Sequence, residues 1–386
     1  MKIERVDEQA NGNVNIFLRV EKGDESVDKL RTLAESESAD LWKRRISADD
    51  EKEARKFYNA QISGKEYSVV VLDVHDDINQ ISVVDPYYSS YEDVEVHRLM
   101  LLDKPRTEWY MKMISSLNLN NKSVLDVGAG SGILSLSAAS AGAKYVHAVE
   151  AAPLMVKALA QTFKTNKVDG SVHSTKVEDL ELGEVDVIVS EWMGFYLLHE
   201  SMLDSVILSR DKFLKPGGTM VPSQAKIFLS LVSVPDLYRE RVSFWDNVYG
   251  YDMSSLKNMA IMKLIGSPTC EVVKPENLIS DVAEYAAFDL TTVTSSELAH
   301  LERKIVFTVA RDSSFHGICC FFDVRMGNGD PLSTSPHAPA THWKQSLFML
   351  GGEYQVKASE KVEATVEMRK SADNPRQYSI GVSMGS

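Results

Sequence analysis

The chain has 386 residues, of which 44% are hydrophobic and 25% are charged. These are the values of an ordinary folded protein and exclude disorder along the whole chain, while the length accommodates two domains. The 42 basic and 55 acidic residues give a formal charge of −13, which disfavours direct binding of nucleic acid and favours basic proteins or peptides as partners.

The printed sequence shows no apolar run typical of a secretory leader or a membrane-spanning helix, so we expect an intracellular protein, cytoplasmic or nuclear, without membrane contact. Cys270, Cys319 and Cys320 form no CxxC pair, and the adjacent two should point to opposite faces of a strand, so we predict reduced thiols. The histidines form no HExxH pattern and none stands at ligand spacing from a cysteine, so no metal is predicted.

Residues 1–84 form a charged N-terminal extension with two apolar patches, 14–20 (VNIFLRV) and 67–74 (YSVVVLDV). The patches could be edge strands, and the charge-rich stretches at 21–40 and 46–57 could be short exposed helices. From residue 122 the pattern alternates between apolar strands and helices, starting with SVLDVGAGSG, ILSLSAASAGA and YVHAVEA. Residues 85–221 therefore predict an α/β domain with a doubly wound parallel sheet, ending at the turn KPGG.

Residues 222–386 are a series of strand-like runs separated by Gly, Pro, Asn or Ser turns, which predicts an all-β domain, either barrel-like or a sandwich. One insertion, residues 236–262, has helical periodicity and is rich in Trp, Tyr and Met. We expect this arm to bind the surface of a partner protein.

A glycine-rich loop follows the first strand of the α/β domain. Gly128, Gly130 and Gly132 lie between that strand and a helix, and Glu150 ends the next strand, where a carboxylate can accept both ribose hydroxyls. Asp126, two residues before the first glycine, would repel a pyrophosphate but suits the ammonium and sulfonium of S-adenosylmethionine. The alternatives are a nicotinamide cofactor, or glycines that only form a turn beside a loop carboxylate. Glu178, after the third strand, could accept from an adenine amino group or be a solvated surface charge.

Two glutamates follow the strand VDVIVS, Glu191 and Glu200. Carboxylates at this edge of a parallel sheet could converge beside a methyl donor and bind a guanidinium group. A guanidinium is planar, always protonated and offers five hydrogen-bond donors. Two such contacts would also polarise it, so that one nitrogen attacks the sulfonium methyl in line. The alternative is two separate surface charges.

Upstream of the glycine loop, an aromatic cluster precedes a predicted helical face. Tyrosines at 87, 88 and 91 could cover a cation, and Arg106 could bind the donor's carboxylate as a fork, although aromatic and Met stripes more often belong to a core. The face also carries His97, Met100 and Asp103. His342 and Trp343 follow a proline-containing loop. They could form part of the wall of a cation-binding pocket or simply pack between domains.

Several of these segments together resemble a class I protein arginine N-methyltransferase, the type that forms asymmetric dimethylarginine, with its sixth subgroup as the nearest match. The resemblance runs from residue 87 to about 378 and rests on YYSSY, HRLMLLDKPRT, VLDVGAGSG with VEA, SEWMGFYLLHESML, FWDNVYGYDMSSL and LSTSPHAPATHWKQ. It implies a Rossmann-like methyltransferase domain followed by a β-barrel domain. It also implies a helical arm, anchored by Trp245, Tyr249 and Tyr251, that docks on a second subunit to form a homodimer.

The resemblance also implies roles for individual residues. On the donor side, Tyr87, Tyr88 and Tyr91 match the segment that becomes ordered over the bound donor. Arg106 matches the arginine that binds the donor's carboxylate. Glu150 matches the acid that binds the ribose, and Glu178 matches the acid beside the adenine. We place His97, Met100, Asp126, Gly128, Gly130 and Gly132 at the same site. On the acceptor side the resemblance implies that Glu191 and Glu200 hold the substrate arginine and that His342, packed on Asp103, is a candidate proton relay.

Product type follows from the pocket. Met100 and Met202 match methionines that border it, whereas the symmetric type carries Phe at the Met100 and His342 positions. We also place Tyr91, Met202 and Trp343 against the substrate. The sequence therefore predicts an S-adenosylmethionine-dependent enzyme that releases S-adenosylhomocysteine and acts on histone-like or Arg/Gly-rich proteins. The alternatives are a methyltransferase for small molecules and a non-catalytic dimeric scaffold that binds arginine-rich partners.

Overall fold

The computed structural model describes residues 2–8, 14–20, 41–45, 56–62, 65–73, 88, 91–372 and 374–385. The chain divides into two compact units, Met1–Asp85 and Pro86–Ser386. Of the predicted site residues, Tyr87 lies outside the described residues. The charge-rich stretch at 21–40 also lies outside them, as does most of 46–57, so the helices expected there stay predictions.

The first unit contains a five-stranded sheet in the order β1-β2-β5-β4-β3. Its strands are β1 (Lys2–Glu8), β2 (Val14–Val20), β3 (Leu41–Arg45), β4 (Lys56–Ile62) and β5 (Lys65–Asp73). The pair β2 and β5 is parallel and the other pairs are antiparallel. The two apolar patches are strands, but the expectation that they are edge strands was wrong. They are β2 and β5, each paired on both sides, which is the position that favours continuous apolar runs.

The second unit begins with two helices, α1 (Val94–Leu102) and α2 (Lys104–Ser115). Each is capped at its start by an aspartate. The Asp93 side chain accepts a hydrogen bond from the backbone N–H of Glu95, and the Asp103 side chain accepts one from that of Arg106. These caps satisfy N–H groups that have no partner within a helix. Asp103 thereby fixes the junction between the two helices.

A five-stranded parallel sheet follows, in the order β10-β9-β6-β7-β8. The strands are β6 (Ser123–Val127), β7 (Tyr145–Glu150), β8 (Gly170–Ser174), β9 (Val185–Val189) and β10 (Leu214–Val221), and the helices among them are α3 (Ile133–Ser140), α4 (Pro153–Asn166) and α5 (Met202–Phe213). The predicted doubly wound sheet is confirmed. The strand order reverses between β6 and β9, and such a reversal opens a ligand crevice at the carboxyl ends of the strands.

Two local expectations in this domain were wrong. Residues 215–218 (KPGG) lie within β10, where the pairing register with β9 shifts between Leu214 and Thr219 and takes up the extra residues. The run at 197–214, LLHESMLDSVILSRDKFL, is helix-like throughout in the sequence, but the helix begins only at Met202. Leu197, Glu200 and Ser201 all have positive φ, which a right-handed helix does not allow.

The rest of the unit is built on antiparallel sheets, as predicted. One sheet has the order β12-β17-β15-β11-β13 with β16 paired to β15, and a second has the order β14-β18-β19. The strands are β11 (Gln224–Val232), β12 (Thr269–Glu271), β13 (Ala283–Asp289), β14 (His300–Thr308), β15 (Ser313–Arg325), β16 (Leu332–Ser333), β17 (Gln345–Val356), β18 (Lys361–Lys370) and β19 (Tyr378–Met384). A short helix, α8 (Ser295–Leu298), precedes β14.

The arm interrupts this domain between β11 and β12. It consists of α6 (Pro235–Arg241), α7 (Lys257–Ile265) and two short 3-10 turns, Ser243–Asp246 and Ser254–Leu256. A small apolar cluster beneath the arm contains Val242, Leu264 and Cys319. Cys320 belongs instead to the large cluster shared by the parallel and antiparallel sheets, so the adjacent cysteines do face opposite ways. All three cysteines are free. Among the helices described, none is long and apolar enough to cross a membrane.

Candidate active site

A cavity of about 580 Å³ opens at the carboxyl ends of β6, β7 and β9 and is closed on one side by the antiparallel domain. Most of the residues predicted for the site line it, although they come from distant parts of the chain. Those on its wall are Tyr88, Tyr91, His97, Met100, Arg106, Gly128, Gly130, Glu150, Glu178, Glu191, Glu200, Met202, His342 and Trp343. Asp126 and Gly132 are not on the wall.

The glycine-rich loop needs glycine for two physical reasons. Gly128, Gly130 and Gly132 have φ of 72°, 51° and 83°, in the left-handed region that other residues rarely adopt. A Cβ atom at Gly128 would also lie 2.3 Å from the Met202 side chain, and one at Gly130 would lie 3.1 Å from His97. The loop thus keeps its backbone open to a ligand.

Glu150 holds the loop from the tip of β7. One carboxylate oxygen accepts from the backbone N–H of Gly130 and the other from that of Ala152, each at 2.8 Å. The carboxylate is buried at the cavity wall. Glu178 lies at the same end of the cavity and accepts from the Ser205 hydroxyl at 2.5 Å. Both acids line the cavity, and their expected contacts with a ribose and an adenine stay predictions.

Asp126 lies in the interior, behind the loop. Its Oδ2 accepts from the Ser135 hydroxyl at 2.6 Å, whereas Oδ1 is buried without a hydrogen-bond partner. Burial raises the pKa of this carboxyl to about 6, although the Ser135 hydrogen bond opposes the shift. Asp126 is therefore buried behind the loop and does not line the cavity.

Arg106 and Glu191 form an ion pair in which both side chains are almost fully buried. The Nε and Nη2 groups of Arg106 donate to Oε2 of Glu191 at 3.0 and 2.8 Å, and Nη1 donates to the Met100 carbonyl at 3.2 Å. The other Glu191 oxygen accepts from the backbone N–H of Met193. Arg106 thus touches the acceptor acid directly and links α2 to the loop after β9.

Glu200 reaches the same cavity from the second half of that loop. Its carboxylate accepts from the Tyr91 hydroxyl at 2.5 Å. His97 bonds through its ring to the Tyr91 carbonyl at 2.8 Å and packs beside Gly130. His97 therefore supports the aromatic segment and the glycine loop together.

His342 is anchored on Asp103, as the resemblance implies. Its Nδ1 lies 2.6 Å from Oδ2 of Asp103, and its backbone N–H donates to the same oxygen at 2.8 Å. Burial alone would raise the pKa of Asp103, but the hydrogen bonds from His342 and from the backbone of Arg106 bring it below the usual value. The Trp343 ring packs against that of His342, tilted by 38° with ring centres 4.1 Å apart, and its indole N–H donates to the Met193 carbonyl at 2.8 Å. It is buried and joins the two domains while also lining the cavity.

Sequence reasoning missed three basic residues on the wall, Lys176, Lys344 and Arg376. The Lys176 ammonium and the Arg376 guanidinium carbon each lie 5.1 Å from the centre of the Tyr88 ring. Lys176 is two residues from Glu178, so proximity to that acid could have indicated it. Arg376 lies in the turn between β18 and β19, and no spacing in the sequence connects it to the other site residues.

A doubly wound sheet with this loop, an acid at the tip of the second strand and a cavity at the switch point defines a Rossmann-like protein that binds an adenosine-containing ligand. Comparison with known proteins identifies the family. Residues 223–385 match the arginine methyltransferase oligomerization subdomain, and residues 103–223 match a family described as ribosomal protein L11 methyltransferase (PrmA). Protein arginine N-methyltransferase 6 of Xenopus tropicalis is 40% identical over 313 residues, which cover 76% of this chain and 91% of the relative.

Other relatives agree. Protein arginine N-methyltransferase 1 of Chlamydomonas reinhardtii is 38% identical over 307 residues, covering 77% of this chain and 87% of the relative. The structure of the Trypanosoma brucei PRMT1 enzyme-prozyme heterotetrameric complex with AdoHcy matches with a TM-score of 0.71 and 30% identity, covering 76% of this chain and 94% of that chain. The structure of Arabidopsis thaliana protein arginine methyltransferase 10 matches with a TM-score of 0.70 and 30% identity, covering 77% of this chain and 94% of that chain.

The chain therefore belongs to the protein arginine N-methyltransferase family. It is an enzyme that uses S-adenosylmethionine to methylate arginine in proteins, so the predicted fold class, enzyme class and cofactor are confirmed. The nicotinamide, small-molecule and scaffold alternatives have no support among these relatives.

Proposed function

We propose that this enzyme methylates arginines in basic or Arg/Gly-rich protein segments, histone tails among them, and produces monomethylarginine and asymmetric dimethylarginine. One observation carries the proposal. The carboxylates of Glu191 and Glu200 line one cavity, beside the glycine loop and Glu150. A cavity with two acids suits a permanently charged guanidinium, and a net charge of −13 attracts basic chains to its entrance.

On the donor side, the residues fit S-adenosylmethionine by their chemistry. Glu150 and Glu178 offer acceptors for ribose hydroxyls and an adenine amino group, and the glycine loop leaves room for close backbone approach. Arg106 can bind the donor's carboxylate with donors it now directs at Glu191 and Met100. When bound, the donor supplies an electrophilic methyl on sulfur.

On the acceptor side, Glu191 and Glu200 grip the substrate guanidinium and draw its positive charge toward the nitrogens they contact. The nitrogen left with more electron density would be the nucleophile toward the methyl group that a bound donor supplies. Two groups are placed to accept the proton that this nitrogen loses, Glu200 itself and His342, whose ring is oriented by Asp103.

The pocket border supports the asymmetric product. Met100 and Met202 both line the cavity, and Met202 packs over Gly128. Methionine is unbranched and adapts its shape, so the border can admit a nitrogen that already carries one methyl group. Repeated transfer to the same nitrogen gives asymmetric dimethylarginine.

The test is to incubate the full chain with S-adenosylmethionine and an Arg/Gly peptide, and to identify the methylated residue by mass-spectrometric fragmentation. We expect asymmetric dimethylarginine; symmetric product would contradict the pocket argument. Glu191→Gln and Glu200→Gln should each lower kcat on the order of 100-fold, because each removes a charge that orients and polarises the acceptor. The matched control is Glu184→Gln, at an exposed acid just before β9, which should not change kcat. Unchanged turnover in either site variant would refute the paired-acid mechanism.

The arm supports a homodimer. Tyr249 and Tyr251 are 97% and 75% exposed, and Trp245 is half-buried against Phe244. Large exposed aromatic side chains are typical of interfaces, and the arm belongs to the region that matches the oligomerization subdomain. We propose that the arm docks head to tail on the methyltransferase domain of a second copy.

The location of the protein in the cytoplasm or the nucleus also stays a prediction.

A further inference from the structure

The backbone at Glu200 is held in an unfavourable conformation. Glu200 and Ser201 have φ of 74° and 53°, two consecutive left-handed residues that are not glycine. Such a conformation costs free energy and persists only where the surroundings fix it. It also decides where the Glu200 carboxylate points, because a right-handed continuation of α5 would turn that side chain away from its present place.

One residue of the antiparallel domain contacts the backbone of Glu200 on both sides. The Arg376 carbonyl accepts from the Glu200 N–H at 2.7 Å, and Nη1 of Arg376 donates to the Glu200 carbonyl at 3.3 Å. Arg376 lies 176 positions further along the chain, in the turn between β18 and β19. The conformation of Glu200 is therefore fixed from the other domain.

The same guanidinium also reaches the aromatic segment. Its Nη2 donates to the Tyr88 hydroxyl at 3.2 Å, and its carbon lies 5.1 Å from the Tyr88 ring centre. From the other side, the Tyr91 hydroxyl donates to the Glu200 carboxylate. A lysine could not reproduce both contacts, since only guanidinium offers several donors in a rigid planar fork.

We propose that Arg376 is a positioning residue that holds Glu200 for the acceptor arginine and couples it to Tyr88. This inference rests on the proposed function, in which Glu200 binds the substrate arginine, and on the predicted role of Tyr88 in covering the donor. In this arrangement, one side chain from the antiparallel domain positions both Glu200, for the acceptor arginine, and Tyr88, for the donor. The sequence of the methyltransferase domain alone therefore does not contain the complete active site.

The first test compares Arg376→Lys with the wild-type chain. We expect kcat for an Arg/Gly peptide to fall about 10- to 100-fold, because a displacement of about 1 Å at Glu200 is enough for such a loss. The Kd for S-adenosylhomocysteine, measured by calorimetry, should rise about threefold to tenfold through the lost bond to Tyr88. Arg369→Lys is the matched control, since the side chain of this exposed arginine on β18 bonds only to Glu367 and His300 among the described contacts. A change within twofold in both kcat and Kd for Arg376→Lys would refute the proposal.

The second test separates coupling from a purely structural role. Tyr88→Phe removes the hydroxyl that accepts from Arg376 and should raise the Kd for S-adenosylhomocysteine to a similar extent. In the double variant with Arg376→Lys, the Kd should be no higher than in either single variant, whereas independent losses that multiply would refute the coupling. Calorimetry with S-adenosylhomocysteine needs no turnover, so it gives this answer even if the peptide is not methylated. Absence of methylated peptide with the wild-type chain would instead refute the proposed function.

Discussion

Asp126 shows how burial changes the chemistry of one residue. Its carboxyl has a pKa of about 6 because it is buried, and one of its oxygens has no hydrogen-bond partner. In the unfolded chain an aspartate has a pKa near 3.9. Between these two values the folded protein binds a proton that the unfolded chain does not, so this group makes the folded state less stable as pH rises.

We therefore predict that Asp126→Asn alters the pH dependence of stability. From pH 4 to pH 6 the wild-type protein should lose about 2 kcal/mol of unfolding free energy through this one group, relative to the variant. Above about pH 6.5 the difference should stay constant. Urea unfolding of both proteins over this range measures it. A difference that does not vary with pH would show that Asp126 is not protonated in the folded protein.

The edge of the parallel sheet carries a histidine cluster on β7 and β8. Nδ1 of His147 lies 3.3 Å from Nε2 of His173, and the Ser171 hydroxyl lies within hydrogen-bond distance of both. Burial lowers the pKa of both histidines, and for His147 the neighbouring His173 lowers it further. The fold therefore keeps this pair neutral where an unfolded chain would take up protons.

This element should make the protein sensitive to acid. Because the folded pKa values are lowered, the unfolded chain binds more protons as pH falls below about 6.5, and stability is lost there. His173→Gln keeps a polar group near Ser171 but removes one titratable group. The melting temperature of this variant should therefore fall less between pH 7.5 and pH 5 than that of the wild-type protein. His337→Gln, at an exposed loop position, is the control and should behave as wild type. An equal fall in all three proteins would contradict this role of the cluster.

At the scale of the whole molecule, the domains are joined where the active site lies. Trp343 bonds to the Met193 carbonyl, and Asp103 holds His342, so the antiparallel domain closes the cavity that the parallel sheet opens. The Trp109 indole likewise donates to the Asp330 carbonyl of the antiparallel domain at 2.8 Å. Substrate binding should therefore depend on both domains together.

The arm gives a prediction at the same scale. We expect light scattering at micromolar concentration to give the mass of a dimer, twice 43.0 kDa. Replacing Tyr249 and Tyr251 by Ser should shift the mass toward that of a monomer, because their exposed rings are the proposed anchors. The matched control is Tyr354→Ser, at an exposed tyrosine on β17 outside the arm, which should leave the mass unchanged. A monomeric mass for the wild-type chain would contradict the dimer.

The sequence by itself determined the parts of this protein that local patterns encode. Apolar periodicity predicted the alternating strands and helices of the parallel sheet, and the glycine spacing predicted a loop between its first strand and the next helix. Strand ends placed Glu150 and Glu191 at one edge. These features depend on residues a few positions apart, so the sequence carries them directly.

Most of the contacts between distant side chains depend on tertiary packing. Arg106 pairs with Glu191 across 85 positions and Arg376 with Glu200 across 176, whereas the pair of His342 and Asp103, 239 positions apart, was implied by the family resemblance. Only the tertiary structure decided that Asp126 is buried behind the loop and that the turn at Glu200 replaces the first turns of a predicted helix. Such contacts arise when separate domains pack together, and no local periodicity specifies the partner of a charged side chain.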